Sequence, residues 1–138
     1  MARYQLMESF AGFDEFLVYL GIAAGLLAVF VAIYVRITPY REIALIRDGN
    51  AAAAFSLSGT IIGMVLPLAS ALSGSINVID MVVWGTIALF VQLLVFIVAR
   101  IALPNIIRDI SEGKQAAGIF LGAISIAAGM LNAAAMTY

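Results

Sequence analysis

Apolar and polar positions along this chain fall into long blocks rather than single alternating steps. Phe16 to Val35 is twenty residues without a charge, closed by Arg36. At 1.5 Å per residue, that length crosses a 30 Å hydrocarbon core as a helix. Ala51 to Leu72 is a second block, rich in small residues and holding Pro67; Met81 to Ala99 is a third, closed by Arg100; Gln115 to Met136 is a fourth. Between the first two stands Ile37-Thr38-Pro39-Tyr40-Arg41-Glu42, where Pro39 stops simple continuation of the helix. Ser73 to Asn77 is a short polar link, and Leu103-Pro104-Asn105 repeats the proline stop. The pattern predicts an all-α integral membrane fold of four transmembrane helices. In residues 1–15, Tyr4, Met7, Phe10 and Phe13 recur every three positions, which predicts an N-terminal tail or an interfacial helix.

The blocks also repeat. At an offset of 64 residues Ile46, Gly49, Ala52, Ala53 and Leu57 meet identical residues, and so do Gly21, Ala24, Val31, Ile33, Arg36 and Ile37 upstream. An echo at fixed period through both apolar and turn positions is the mark of a duplicated unit. The expected organisation is a first two-helix repeat over 16–73 and a second over 80–138. In each copy a turn motif precedes the second helix, Asp48-Gly49-Asn50 in the first and Glu112-Gly113-Lys114 in the second. Asn50 is a natural helix N-cap, and capping is the simplest role for these residues. Two spans per copy make both copies enter the membrane in the same direction, as tandem parallel helical hairpins.

Composition agrees with lipid as the solvent. The chain is 64% hydrophobic and 11% charged, with a mean hydropathy of +1.13, whereas soluble domains carry roughly a quarter charged residues. Six of the seven basic residues (Arg36, Arg41, Arg47, Arg100, Arg108, Lys114) lie in the connections that close the two hairpins, against Arg3 alone on the other side. That bias puts both hairpin connections in the cytoplasm and both termini outside. A net charge of −1 gives no sign of nucleic-acid binding. The acidic N-terminus lacks a small-residue cleavage site and does not read as a signal peptide.

Candidate chemistry is sparse. The chain has no Cys and no His, so thiolate nucleophiles, the usual neutral-pH proton shuttle and the commonest metal ligand are absent. No carboxylate, Lys or Arg falls mid-span, which counts against a proton relay. Glu42 and Asp109 sit among arginines and read as solvated loop partners. No nucleotide loop or paired-acid site is present, so no cofactor, metal or catalytic residue is expected and the chain is not read as an enzyme.

Small residues are the stronger signal. Ala52, Ser56, Gly59, Gly63, Pro67 and Ser70 form a stripe down the second span, with Leu57 read as facing outward. Gly21 and Gly25 begin a shorter stripe in the first span, and Gly118, Gly122, Ser125, Gly129 and Asn132 form one in the fourth. Such stripes let helix backbones approach closely. Through the repeat, the stripe of the fourth span is displaced about 200° from that of the second, which predicts different neighbours for the two helices. Gln92, about 12 Å inside Arg100, should face protein as an interhelical clasp, with a pathway lining as the other reading. Asn132 lies near the end of its span, within reach of headgroup water.

Four spans in two hairpins, a proline break, and Ile46, Gly49, Asn50, Ala52 and Ala54 followed by a later Gly and Pro resemble domain-of-unknown-function family 350, which includes YjfL-like bacterial inner-membrane proteins. Ile110, Gly113, Ala116 and Gly118 carry the motif in the second copy, where Lys114 replaces Asn and Gly118 replaces the last Ala. The resemblance implies a multi-pass protein of the bacterial inner membrane and carries no activity with it. The expected function is a non-enzymatic, oligomeric structural or accessory subunit whose partners are the lipid bilayer and either further copies or another membrane protein. An oligomeric channel or passive transport component is the alternative, with Gln92, or Ser56 and Ser70, on its axis.

Overall fold

A computed structural model of the chain, described over residues 1–136, is entirely helical. The last two residues of the 80–138 segment lie outside the described residues. The helices are α1 (Ala2–Ser9), α2 (Phe13–Ile37), α3 (Glu42–Arg47), α4 (Ala51–Gly74), α5 (Val78–Ala102), α6 (Ile106–Ser111) and α7 (Gln115–Ala135). Four helical stretches are long and apolar enough to cross a membrane: Ala2–Ile37, Ala51–Gly74, Val78–Ala102 and Gln115–Ala135. α1 is exposed along its whole length, separated from α2 by a turn at Phe10 to Gly12. Phe10 and Phe13 meet edge to face across that turn, and Phe13 stacks on Phe16.

Local chemistry accounts for the ends. α2 stops before Pro39, and α3 begins only beyond it. Gly49 and Gly113 adopt φ of 86° and 84°, the left-handed conformation that lets α3 and α6 terminate and the chain turn at once into α4 and α7. Asn77 accepts from the Asp80 amide at 2.9 Å while the Asp80 carboxylate accepts from the Ile76 amide at 3.0 Å, so the link before α5 is closed by reciprocal side-chain caps.

α4 is the centre of the bundle. It packs along α7 and also against α5, α2, α3 and α6. The α4–α7 seam is backbone against backbone: a Cβ added at Gly59 would overlap the Gly122 backbone, one at Gly63 the Ser125 carbonyl, one at Gly118 the Ala52 carbonyl, and one at Gly129 the Gly63 carbonyl. Pro67 has no amide hydrogen to give the carbonyl four residues earlier, which is that of Gly63. The carbonyl left free inside α4 is thus the one that Gly129 abuts. On the other side, Leu26 of α2 fills the space over Gly85, and Tyr34 meets Phe96 of α5 edge to face at 4.8 Å between ring centres.

Two expectations are corrected, and one stripe finds no neighbour within the chain. The stripes of α4 and α7 do not take different neighbours; they take each other, since only small residues on both sides permit this approach. Leu57 is buried, because α4 is surrounded and has little outward face. Gly21 and Gly25 do not pack within the chain: both are exposed with nothing near them, and α2 is held instead by Ala23, Phe30 and Tyr34.

The seam makes a direct prediction. Gly59→Ala, Gly63→Ala or Gly129→Ala will each lower the thermal stability of the purified protein, by about 1–3 kcal/mol from overpacking. Ile62→Ala, on the exposed side of α4, will change it by less than about 0.5 kcal/mol. Equal effects at all four positions would contradict the seam.

Candidate functional site

Three groups of polar side chains are drawn into the bundle. At the first, Asn50 accepts from the Ala53 amide at 3.0 Å, capping α4, while its amide donates to the Ile110 carbonyl at 3.0 Å and lies 3.4 Å from that of Ser111. One side chain thereby satisfies the start of α4 and the end of α6. Lys114, at the matching place before α7, makes no side-chain cap. Its ammonium instead pairs with Asp109 at 3.2 Å and Glu112 at 3.7 Å, in solvent-exposed ion pairs of small energetic weight. Asp48 is exposed beside Gly49, and Glu112 and Gly113 are exposed as well.

At the second, Gln92 of α5 is buried and donates to the Ser125 carbonyl of α7 at 3.3 Å, and the Thr60 and Ser125 hydroxyls lie 3.4 Å apart. Gln92 is thus a clasp among α5, α7 and α4, close beside Gly63. Ser70 donates to the Ala133 carbonyl at 3.3 Å, a further α4–α7 tie. Asn132 is half-buried, and its amide nitrogen is buried without a partner.

The third group escaped the sequence reading. Glu42, read as a solvated loop residue, is fully buried at the start of α3. Pro39 ends α2 and turns the chain back, which tucks the first turn of α3 under α4 rather than into solvent. Around Glu42 stand Tyr34 and Thr38 from the end of α2, Tyr40 from the connection, and Ser56 and Thr60 from α4. Both Glu42 carboxylate oxygens, the Tyr34 and Tyr40 hydroxyls and the Ser56 hydroxyl are buried without a partner at hydrogen-bond geometry, although Tyr34 lies beside Thr60 and Ser56, Tyr40 beside Ser56, and Glu42 beside Thr38. The Thr38 hydroxyl donates to the Tyr34 carbonyl at 2.6 Å and that of Thr60 to the Ser56 carbonyl at 2.9 Å, so neither has its hydrogen free. Among the described residues no basic group pairs with Glu42.

Burial sets the electrostatics. Removing the carboxylate from water pushes the Glu42 pKa up to about 7, and the nearby Thr38 hydroxyl offsets little of this. The Tyr40 phenol is held above its usual range by burial first, then by the charges of Tyr34 and Glu42. A sequence signal for the cluster exists in the comparison of halves. At the 64-residue offset, Tyr34, Thr38, Tyr40, Glu42, Ser56 and Thr60 face Val98, Ala102, Pro104, Ile106, Phe120 and Ile124. Each of six polar residues is answered by an apolar one, as expected if one half buries oxygen atoms and the other packs hydrocarbon.

Taken together, the four spans and the buried polar groups at their ends define a helical multi-pass membrane protein. The chain belongs to the Domain of Unknown Function (DUF350) family, whose model matches residues 6–136. It is similar to the UPF0719 inner membrane protein YjfL of Escherichia coli (strain K12), 41% identical over 133 residues covering 96% of this chain and 98% of that protein. The YjfL protein of Escherichia coli O157:H7 matches with the same identity and coverage. No solved structure matches the chain. The relatives and the four apolar helices support a multi-pass inner-membrane location.

Two predictions follow from this geometry. Folded Glu42 binds its proton more tightly than the unfolded chain does, so its contribution to stability is full below pH 4.5 and is lost as pH rises through about 7. In alkali-cation-free buffer, the parent protein should lose about 3 kcal/mol across that window relative to Glu42→Gln. Parallel pH profiles for the two proteins would refute the assignment. Asn50→Ala removes a cap and an inter-helix bond and should cost about 1–2 kcal/mol, whereas Lys114→Ala should cost less than about 0.5 kcal/mol. Thermal unfolding in detergent measures both.

Proposed function

We propose that this protein is a non-enzymatic structural or accessory subunit of the bacterial inner membrane that assembles with a second copy of itself through α2. The carrying observation is the face formed by Gly21, Gly25, Ala28 and Ala32. All four are exposed, and the span to which they belong is the least covered of the four. Exposed leucines and valines in such a chain need only lipid, but glycines spaced by four in an apolar helix allow another backbone to come close. The same face on a second copy is self-complementary about a two-fold axis, which closes a dimer.

Two further elements belong to this reading. The hairpins are taken as copies of one unit. In support, α3 and α6 are both six residues long and begin 64 residues apart, as do α4 and α7, and Gly49 and Gly113 share the same left-handed turn. The basic residues at the hairpin connections favour a cytoplasmic position for α3 and α6, with the termini outside. A channel between subunits loses its expected lining, since Gln92, Ser56 and Ser70 are engaged inside one chain or buried in its core.

Because the chain has no Cys, single cysteines at the exposed Asp48, Glu112 and Ile76 test orientation cleanly. Reaction of Asp48→Cys and Glu112→Cys only from the cytoplasm, and of Ile76→Cys only from outside, is expected; the opposite pattern would reverse the topology. For assembly, the mass of the detergent-solubilised complex should be that of a dimer and fall to a monomer in Gly21→Leu/Gly25→Leu, with thermal stability of the monomer unchanged. A parent protein that is monomeric at every concentration would exclude the self-assembly reading and direct attention to a different membrane partner.

A further inference from the structure

We propose that Glu42, with the hydroxyls of Tyr34, Tyr40 and Ser56, forms a binding site for one alkali metal cation. Glu42, Tyr34 and Ser56 are fully buried, and Tyr40 buries its hydroxyl. Between them they hold five buried oxygens with no hydrogen-bond partner. Unpaired buried polar atoms are expensive, and one such atom can pass as a local defect. Five converging from α2, the α2–α3 connection, α3 and α4 form a ready-made set of oxygen ligands for a common partner.

The chemistry of the donors selects the class. Every one is oxygen, with no nitrogen or sulfur, which suits a hard cation and not a soft or borderline metal. The cluster carries one carboxylate. A monovalent cation beside it leaves the site neutral, whereas a divalent ion would leave a net positive charge buried in low dielectric. Facing groups add nothing of opposite sign. α4 contributes only the hydroxyls of Ser56 and Thr60, and α2 contributes Tyr34 and Thr38. Arg36, at the end of α2, and Arg41 and Arg47 are exposed.

The surface above the site is grooved. A groove of about 440 Å³ between the end of α2 and α3 is walled by Val35, Thr38, Pro39, Tyr40, Glu42 and Ile43. Arg41 and Arg47 share that groove; their repulsion of a cation is screened by solvent and salt, while the attraction of the buried carboxylate is not. The apolar counterparts of these residues in the second half, Val98, Pro104, Ile106 and Phe120, offer no oxygen side chains, so one site per chain is expected.

The test uses the full chain in detergent at pH 8 and constant ionic strength, with choline chloride replaced stepwise by NaCl or KCl. Saturable stabilisation by at least one alkali cation is expected, with Tm raised by roughly 3–5 °C at a tenfold excess over Kd. Ser56→Ala should weaken the response and Glu42→Gln abolish it. A flat response to both salts, or an equal rise in Glu42→Gln, overturns the proposal. Should Glu42→Gln fail to fold, equilibrium dialysis of the unmodified protein against radioactive sodium and rubidium decides. One bound ion per chain supports the site, and binding of neither overturns it.

Discussion

The close approach of α4 and α7 is the constraint on which the rest of the bundle depends. Lipid tails are as apolar as the side chains they touch, so burying leucine between helices gains little in a membrane, and association rests on packing and on polar ties. Here Gly59, Gly63, Gly118, Gly122 and Gly129 bring two backbones together where any side chain would hold them apart. Once the backbones meet, Thr60, Ser70, Gln92 and Ser125 fall within reach of carbonyls and hydroxyls across the seam. Those bonds presuppose the glycines.

The seam also joins α4 and α7 at positions that do not correspond at the 64-residue offset. At the 64-residue offset Gly118 corresponds to Ala54 and Gly122 to Ser58, yet they pack against Ala52, Phe55 and Gly59. The faces that meet are therefore different faces of the two helices. α4 becomes the enclosed helix, touched by five others, and α7 packs mainly on α4, α5 and α6. An enclosed helix has room for polar groups that a lipid-facing one cannot carry. Ser56 and Thr60 are buried on α4, while their offset partners on α7 are Phe120 and Ile124. The Glu42 cluster is a consequence: a carboxylate under α4 is shielded from lipid, whereas its counterpart Ile106 packs with apolar neighbours.

The end of the bundle that holds this cluster has a different stability logic from its centre. At the seam, shape decides, and any added atom is harmful. At Glu42, space is not the issue; uncompensated polarity is, and its cost depends on which proton or ion is present. One region therefore sets whether the bundle forms, and the other makes its stability answer to the solution around it.

By itself the sequence determined that there are four apolar helices long enough to span and where the first of them stops, because block hydrophobicity and proline stops act locally. It also marked the glycine turns at Gly49 and Gly113 and the capping role of Asn50, since left-handed backbone and a free first-turn amide are local demands. It named the small residues that make the seam, but not who meets whom. That depends on the rotation of whole helices against one another, so Leu57 proved buried while Gly21 and Gly25 proved open. Glu42 shows the same limit at a single site. Flanked by Arg41 and Arg47, it reads as a surface charge, and only the tertiary course of the chain after Pro39 carries it beneath α4. Burial is a property of what packs above a residue, and for a charged side chain that neighbour decides between a solvated ion and a site.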